Sequence, residues 1–339
     1  MSEVAVAKKR RQGAATKPRT TPGTKPGGKP ATKPGGKPAT KPGGKPAARR
    51  SAPGLRWSPE MTRTALLLAA ALVVVLAVVW VAWDSKTPAR NGGGDAIEHV
   101  HGLGINPANG ELYAAAHNGL FRLDASGKAH RVGSRAQDTM GFTVVGDDHF
   151  LASGHPGQGE DGPAALGLIE STDGGATWTT LSLEGQADFH ALRYRHDAVY
   201  GFNSATRQLL VSKDKKTWDT RSQEPLGDLV VSPSDPDTLV AAGAEGVMLS
   251  TDGGRSWQAG DSAVTMLDWP TDDALWAVAA DQSVLRSGDG GKTWSESGKV
   301  EGQPSAFAAG EDQTLYLATV EGEILRSTDA GKTWKAIYS

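Results

Sequence analysis

The chain of 339 residues contains no cysteine, and aromatic residues make up only 6% of it. Without thiols, the protein has no disulfide framework, no thiolate zinc or iron–sulfur site, and no cysteine nucleophile. Acidic residues are nearly missing from one end, because residues 1–57 hold 15 basic residues and a single acid, Glu3. The formal net charge of −2 is therefore the sum of a +14 arm and a −16 remainder.

The basic arm also lacks the residues that build a core. From Thr24 to Ala47 the sequence TKPGGKPA occurs three times in succession, without any Val, Leu, Ile or aromatic residue. Such a segment buries too little apolar surface to offset its loss of conformational entropy, so we expect residues 1–57 to be disordered. The spaced lysines suit anionic lipid or another polyanion, with a solvated spacer as the alternative. We expect no specific nucleic-acid recognition, since no aromatic residue before Trp57 is available to stack on bases.

Residues 65–83 are 19 consecutive Ala, Leu, Val and Trp residues. A helix of this length measures about 28 Å, close to the thickness of the hydrocarbon core of a bilayer. Arginines precede this run, so the positive-inside rule places the N-terminus in the cytoplasm and the C-terminal part outside the cell membrane. We predict a single-pass signal anchor, with a cleaved signal peptide as the alternative. A linker rich in Gly and Pro follows over residues 84–96.

One short motif recurs five times in residues 97–339, running from a serine through an aspartate to Thr-Trp or Ser-Trp, with glycine after the aspartate in every copy but the second, which is one residue shorter. Its aspartates are spaced 41, 38, 37 and 40 residues apart, and they are Asp173, Asp214, Asp252, Asp289 and Asp329. A period of about 40 residues is typical of repeat architectures. An aspartate that accepts backbone N–H groups, a glycine with positive φ and a hydroxyl side chain together close a hairpin. We therefore interpret these aspartates as structural turn residues and not as metal ligands or acids.

The motif resembles the Asp-box (BNR) repeat, S-x-D-x-G-x-T-W, of sialidases, sortilin-type receptors and photosystem assembly-factor propellers. This resemblance implies an all-β fold, a β-propeller with Asp-box hairpins over residues 97–339. A degenerate copy beginning with Val100–Ile105 brings the number of units to six, each of about 40 residues. The predicted six-bladed ring closes by packing of the last blade on the first, without a strand exchanged between them.

Aligning the six units predicts a polar channel mouth. The start of each innermost strand supplies one column, which reads His101, Met140, His190, Asp228, Met266 and Ala306. Two residues earlier, on the same face of the strands, stand His99, Asp138 and Asp188. The second strands of the first two units end in His117 and His155. By this alignment five of the eight histidines converge on one mouth of the channel.

These residue types suggest a metal site. Imidazole with thioether suits copper, and imidazole with carboxylate suits zinc or another divalent ion. The predicted metal ligands are His99, His101, His117, His155, His190, Met140 and Met266, and the predicted ligand-binding carboxylates are Asp138, Asp188 and Asp228. The alternative is a channel lined by polar residues that only hydrogen-bond one another. An insertion over residues 156–166 directly follows His155, and a loop beside a channel mouth usually serves binding or gating.

The sialidase resemblance also implies glycoside hydrolysis. That family uses an arginine triad, a Tyr/Glu nucleophile pair and an aspartic acid, but this sequence lacks the Arg-Ile-Pro signature before the first box. Arg286 and Arg326 lie on strands that lead to the boxes, so no catalytic residue is assigned. We therefore predict a membrane-anchored binding module for a metal ion, a small ligand or a partner protein. The alternative is a glycoside hydrolase that uses the carboxylates of the mouth.

Overall fold

The structure is a computed structural model that describes residues 96–339 apart from residue 245. The predicted basic arm, the predicted transmembrane helix and all but the last residue of the predicted linker lie outside the described residues. Within residues 96–339, no helix has the length and apolar character needed to span a bilayer. All described residues belong to one unit of the chain, Thr87–Ser339.

These residues form a six-bladed β-propeller, which confirms the all-β fold class, and each blade is an antiparallel sheet of four consecutive strands. Blades 1–3 contain β1 Val100–Ile105, β2 Leu112–Ala116, β3 Gly119–Leu123, β4 Ala129–Val132, β5 Asp138–Gly146, β6 His149–His155, β7 Leu168–Ser171, β8 Thr179–Ser182, β9 Phe189–Arg195, β10 Ala198–Asn203, β11 Gln208–Ser212 and β12 Asp219–Ser222. Blades 4–6 contain β13 Leu226–Val231, β14 Leu239–Gly243, β15 Gly246–Ser250, β16 Gln258–Ala259, β17 Val264–Thr271, β18 Ala274–Ala279, β19 Ser283–Ser287, β20 Ser295–Lys299, β21 Pro304–Ala309, β22 Leu315–Thr319, β23 Ile324–Ser327 and β24 Lys335–Tyr338.

The first strands of the blades form the inner ring. Each of them contacts the first strands of both neighbouring blades, and β21 of blade 6 contacts β1 of blade 1. Because every sheet consists of consecutive strands, the ring closes by packing and not by strand exchange. The second strands β2 and β10 are buried throughout, whereas the short outer strand β16 is exposed.

The hydrophobic core of the described residues is divided into six clusters, one at each junction between adjacent blades. At the closing junction, Ala306 and Ile324 of blade 6 belong to one cluster with Val100 and Phe121 of blade 1. A sheet that is covered on both faces carries apolar side chains on both, which explains why second strands such as β2, β14 and β18 are almost entirely apolar. Blade-to-blade packing is therefore the main source of stability for the ring.

The repeat aspartates lie in the turns between the third and fourth strands. In blade 5 the hydroxyl of Ser287 donates to Asp289 Oδ1 at 2.8 Å, and Asp289 accepts from the amide and hydroxyl of Thr293 at 2.9 and 2.6 Å. Gly291 in this turn has a φ of 85°, a region that favours glycine. Equivalent bonds are made by Asp173, Asp214, Asp252 and Asp329. In blade 1 the turn is closed by Asp124, which accepts from the amides of Ser126 and Lys128.

These hydrogen bonds favour the ionised carboxylate. The hydroxyl of Thr293, and then its amide, lower the pKa of Asp289 from 3.8 to about 2. A carboxylate whose pKa is lower in the folded than in the unfolded protein stabilises the fold above the unfolded pKa. The contribution of the turn is therefore complete above about pH 4 and is lost as the pH falls through about 2.

Replacement of one turn aspartate tests this role. We expect Asp289→Ala to lower the free energy of unfolding by about 1–2 kcal/mol, because partly solvated hydrogen bonds to Ser287 and Thr293 are lost. Urea denaturation measures the change. Asp272→Ala, at an exposed aspartate outside the turn of the same blade, is the control and should leave the midpoint unchanged. Equal midpoints for the two variants would contradict the structural role.

Candidate functional site

A β-bulge lies at the same point in the first strand of every blade. In blade 1 the pairing of β1 with β2 shifts between Val100 and Gly102, so His101 is the extra residue. The equivalent extra residues in blades 2–6 are Met140, His190, Gly227, Thr265 and Ser305. All six line a central cavity of about 770 Å³. A bulge leaves its extra residue out of the ladder and redirects its side chain, so the bulges determine which side chains meet at this end of the channel.

The bulges show that the sequence alignment of the blades is displaced by one residue in blades 4–6. The sequence alignment placed Asp228 and Met266 level with His101, but each of them follows its own bulge by one residue and lies one step deeper. A large buried residue two positions after each bulge marks the correct register. These residues are Leu103, Phe142, Leu192, Leu229, Leu267 and Phe307. Alignment on this column would have found the register from the sequence.

The first cluster of donor groups joins blades 1 and 2. His101 comes from the bulge of β1, His117 follows the end of β2, and Asp138 begins β5 of the next blade. Nε2 of His101 lies 3.4 Å from Oδ1 of Asp138, and Nδ1 of His117 lies 3.1 Å from Oδ2. One donor atom from each residue lies within 4.8 Å of the other two. We call these three residues the first triad.

Two donor atoms of the first triad are buried without a partner. His101 Nε2 and Asp138 Oδ1 face each other without the geometry of a hydrogen bond, and each lacks any other partner. Both side chains are 15% exposed. A buried polar atom without a partner carries a desolvation penalty of about 1–3 kcal/mol, which a bound cation would relieve at both atoms.

His101 is neutral at physiological pH. Burial lowers its pKa from 6.5 to about 4, and the neighbouring His99, His117 and His190 act in the same direction against the carboxylate of Asp138. A neutral imidazole keeps a lone pair, which is the form that coordinates a metal. The charge state of His101 therefore favours a cation at this position.

The second cluster joins blades 2 and 3, and we call His155, Asp188 and His190 the second triad. His190 Nε2 lies 2.8 Å and His155 Nε2 lies 3.6 Å from Oδ2 of Asp188. The hydroxyl of Ser204 also donates to that oxygen at 2.8 Å, while Oδ1 is buried without a partner. Burial acts to raise the pKa of Asp188, but hydrogen bonds from His190 and Ser204 outweigh it and lower the pKa below its ordinary value. Asp188 is therefore a carboxylate at neutral pH.

The two triads follow one plan of the repeat. Each pairs a histidine at the end of a second strand with an aspartate two positions before the bulge of the next blade. His117 meets Asp138 in this way, and His155 meets Asp188. Asp138 and His155 are cross-strand partners in the first hairpin of blade 2, but Asp138 contacts histidines of blade 1 whereas His155 contacts Asp188 of blade 3. In blade 3, Ser204 occupies the position that corresponds to His117 and His155. Its hydroxyl bonds to Asp188 of its own blade, so blade 3 does not form a third triad with blade 4.

Asp228 is engaged deeper in the channel. Its Oδ1 accepts from Arg193 Nη2 at 2.9 Å, and its Oδ2 accepts from the amide of Leu267 at 2.9 Å. Burial raises the pKa of Asp228 even though Arg193 opposes the shift. Since Arg193 also donates to the carbonyl of Leu267, this group bridges blades 3, 4 and 5. The structure thus gives Asp228 a joining role between blades and places it in neither triad.

The remaining predicted ligands are distributed around the mouth. The ring of His99 packs edge-on against His101, with centroids 4.7 Å apart. Met140 and Met266 both line the cavity, and Met266 also packs against the core cluster of blades 5 and 6. The three histidines that the alignment left outside the mouth bond elsewhere, and they are His130 with Asp124, His149 with Glu170 and His196 with the carbonyl of Ser232.

The protonation of His101 is directly measurable. In metal-free protein we expect its imidazole to titrate near pH 4, because burial disfavours the charged form. The unfolded chain takes up this proton near pH 6.5, so the stability due to this group falls as the pH drops from 6.5 to about 4. NMR titration of the ring nitrogens gives the midpoint. A midpoint near 6.5 would contradict the burial of His101.

Comparison with solved structures shows the propeller fold. A GH74 enzyme from Niastella koreensis matches with a TM-score of 0.52 at 14% identity, covering 71% of this chain and 45% of that enzyme. Streptogramin B lyase matches with a TM-score of 0.51 at 15% identity, covering 72% of this chain and 84% of the lyase. No family model and no curated protein sequence matches this chain. At these identities the likeness establishes the fold alone, and the Asp-box resemblance stays a prediction.

Proposed function

We propose that this protein is a metal-binding propeller that takes a divalent ion, zinc or copper, at the first triad. The observation that carries the proposal is the pair of buried, unpartnered donor atoms, His101 Nε2 and Asp138 Oδ1, facing each other 3.4 Å apart. Two ligands of a tetrahedral zinc ion, each about 2.0–2.1 Å from the metal, lie about 3.3 Å apart. Each imidazole of the first triad lies at about this distance from a carboxylate oxygen of Asp138, with His101 Nε2 3.4 Å from Oδ1 and His117 Nδ1 3.1 Å from Oδ2.

The ligand types of the first triad limit which metal ion can bind there. Two imidazoles and one carboxylate suit Zn²⁺ and Cu²⁺, and the general affinity order places Cu²⁺ above Zn²⁺. Calcium and magnesium prefer sites built from oxygen alone. Three protein ligands leave a fourth position of a tetrahedral ion open to water or a guest in the cavity. Which of the two ions the protein carries in the cell then depends on their availability.

We also propose that the metal site lies outside the cytoplasmic membrane. A signal anchor over residues 65–83 would hold the propeller outside the cytoplasmic membrane, with the basic arm inside and in contact with anionic lipid or another polyanion. An extracytoplasmic site would meet metal ions from outside the cell before they reach the cytoplasm. A binding function, in metal sensing or metal handling, is consistent with this position.

Glycoside hydrolysis has less support. The sialidase mechanism needs arginines that converge on one substrate carboxylate. Arg193 bonds to Asp228 within the channel, while Arg286 bonds to the carbonyl of Asp273 at the edge of its blade. The likeness to a GH74 enzyme is one of fold, and fold alone does not predict activity.

Zinc stoichiometry tests the proposal. Equilibrium dialysis of full-length protein without a histidine tag should give one bound zinc ion fewer per chain for Asp138→Asn, which removes the charge and keeps the shape. The His101→Ala/His117→Ala double variant should lose the same ion. His149→Gln is the matched control, because His149 pairs with Glu170 outside the mouth. Unchanged stoichiometry in both first-triad variants would rule out the site.

A further inference from the structure

We propose that the second triad is a separate metal site and that Glu160, in the insertion over residues 156–166, is its positioning residue. The inference extends the proposed function to a second divalent ion, but its evidence comes from different residues. The second triad has its own buried unpartnered oxygen, Asp188 Oδ1. A donor atom from each of His155, Asp188 and His190 lies within 4.8 Å of the other two.

The tautomer of His155 is fixed by the insertion. Its Nδ1 lies 2.6 Å from the carbonyl oxygen of Ala164. A carbonyl oxygen only accepts hydrogen bonds, so Nδ1 carries the proton and Nε2 of the neutral ring keeps its lone pair. That Nε2 is the atom directed at Asp188, 3.6 Å from Oδ2. Histidine ligands of metals usually donate their other ring N–H to a carbonyl or carboxylate in this way.

The insertion is held in place by the carboxylate of Glu160. Oε1 accepts from the amide of Ala136 at 3.0 Å, and Oε2 accepts from the amide of Gly157 at 3.2 Å. The guanidinium of Arg135 lies 3.6 Å from Oε2. Burial acts to raise the pKa of Glu160, but these hydrogen bonds and Arg135 outweigh it and lower the pKa. Glu160 therefore joins the start of the insertion to the segment that leads into β5.

The two ends of the insertion are also docked. A Cβ on Gly157 would lie 2.3 Å from the carbonyl oxygen of Ala136, so only glycine permits this close approach. At the other end the amide of Leu166 donates to the carbonyl of Gly154 at 2.8 Å. Both ends are thus fixed, and Ala164 is held beside His155. The contacts support a positioning role and do not suggest a lid that opens.

The first triad lacks this kind of support. In the described structure, Nδ1 of His117 points at Asp138, and the side chain of His117 is 59% exposed. Among the described residues, a carbonyl that fixes the tautomer of a histidine, as Ala164 does for His155, is therefore a feature of the second triad and not of the first. A ligand whose tautomer and orientation are set before binding loses less conformational freedom, so the second site is the better preorganised of the two.

The second site is tested in full-length, tag-free protein that carries His101→Ala/His117→Ala, so that the first triad no longer contributes. Zinc titration of this background should still show one bound ion per chain. Adding Asp188→Asn should remove that ion. A background without bound zinc would overturn the second site, whereas loss of one ion from the wild-type stoichiometry would still support the first. If the His101→Ala/His117→Ala protein binds as many zinc ions per chain as the wild type, the first site is refuted and the second site is still supported.

The role of Glu160 is tested in the same background. Glu160→Ala should weaken zinc binding at the second site about 10–100-fold, the usual effect of removing a group that supports a ligand. Glu160→Gln keeps one accepting oxygen and should give a smaller loss. Asp161→Ala is the matched control, since it removes an exposed carboxylate from the adjacent position of the same loop.

A spectroscopic measurement separates positioning from general stability. In metal-free protein, ¹⁵N chemical shifts of His155 should report protonated Nδ1, and Glu160→Ala should convert them to a mixture of tautomers. Asp161→Ala should leave them unchanged. If Glu160→Ala and Glu160→Gln both retain the zinc affinity and the tautomer of the control, the positioning role is overturned.

Discussion

The chemistry of this propeller depends on a β-bulge that recurs in the innermost strand of every blade. The extra residue at each bulge turns its side chain toward one end of the channel, while the residues after it return to regular pairing. In blades 1–3 these extra residues are His101, Met140 and His190, and in blades 4–6 they are small. The same backbone feature therefore places histidine and methionine at the bulges in one half of the mouth and glycine, threonine and serine in the other half.

Both triads are built across blade boundaries. A histidine from the end of one blade's second strand meets an aspartate from the start of the next blade, as His117 meets Asp138. An ion bound there would link neighbouring blades in addition to the apolar contacts between them. On the other side of the ring, Asp228 links its neighbours through Arg193 and the amide of Leu267 without any ion. Carboxylates thus join blades in both halves of the ring. Where the partner of the carboxylate is a histidine, a metal ion can bind between them, and where it is an arginine, it cannot.

The repeat made much of this architecture predictable from the sequence. Five in-phase aspartates and a degenerate first copy indicate six blades, and the structure confirms that number. The alignment also placed His101 and His190 correctly at one mouth, because histidine marks the bulge in those blades. In blades 4–6 the alignment was displaced by one residue, since Asp228 is a polar residue that resembles a mouth residue while Gly227 occupies the bulge.

The sequence did not predict which side chains pair with each other. Arg193 and Asp228 are 35 residues apart, and no local pattern indicates that they share a hydrogen bond. The carbonyl of Ala164 fixes His155 through backbone geometry, which its alanine identity does not encode. The division of the converging histidines into two triads follows from the side-chain directions of Asp138 and Asp188, and an alignment of strands gives only their common level.

We expect the mouth to hold two ions, one between blades 1 and 2 and one between blades 2 and 3. Anomalous diffraction at the zinc absorption edge, from crystals of the protein grown with zinc, locates such ions directly. We expect two peaks, one bonded to Asp138 and one bonded to Asp188. Peaks confined to exposed carboxylates elsewhere on the propeller, with none at the mouth, would contradict this expectation.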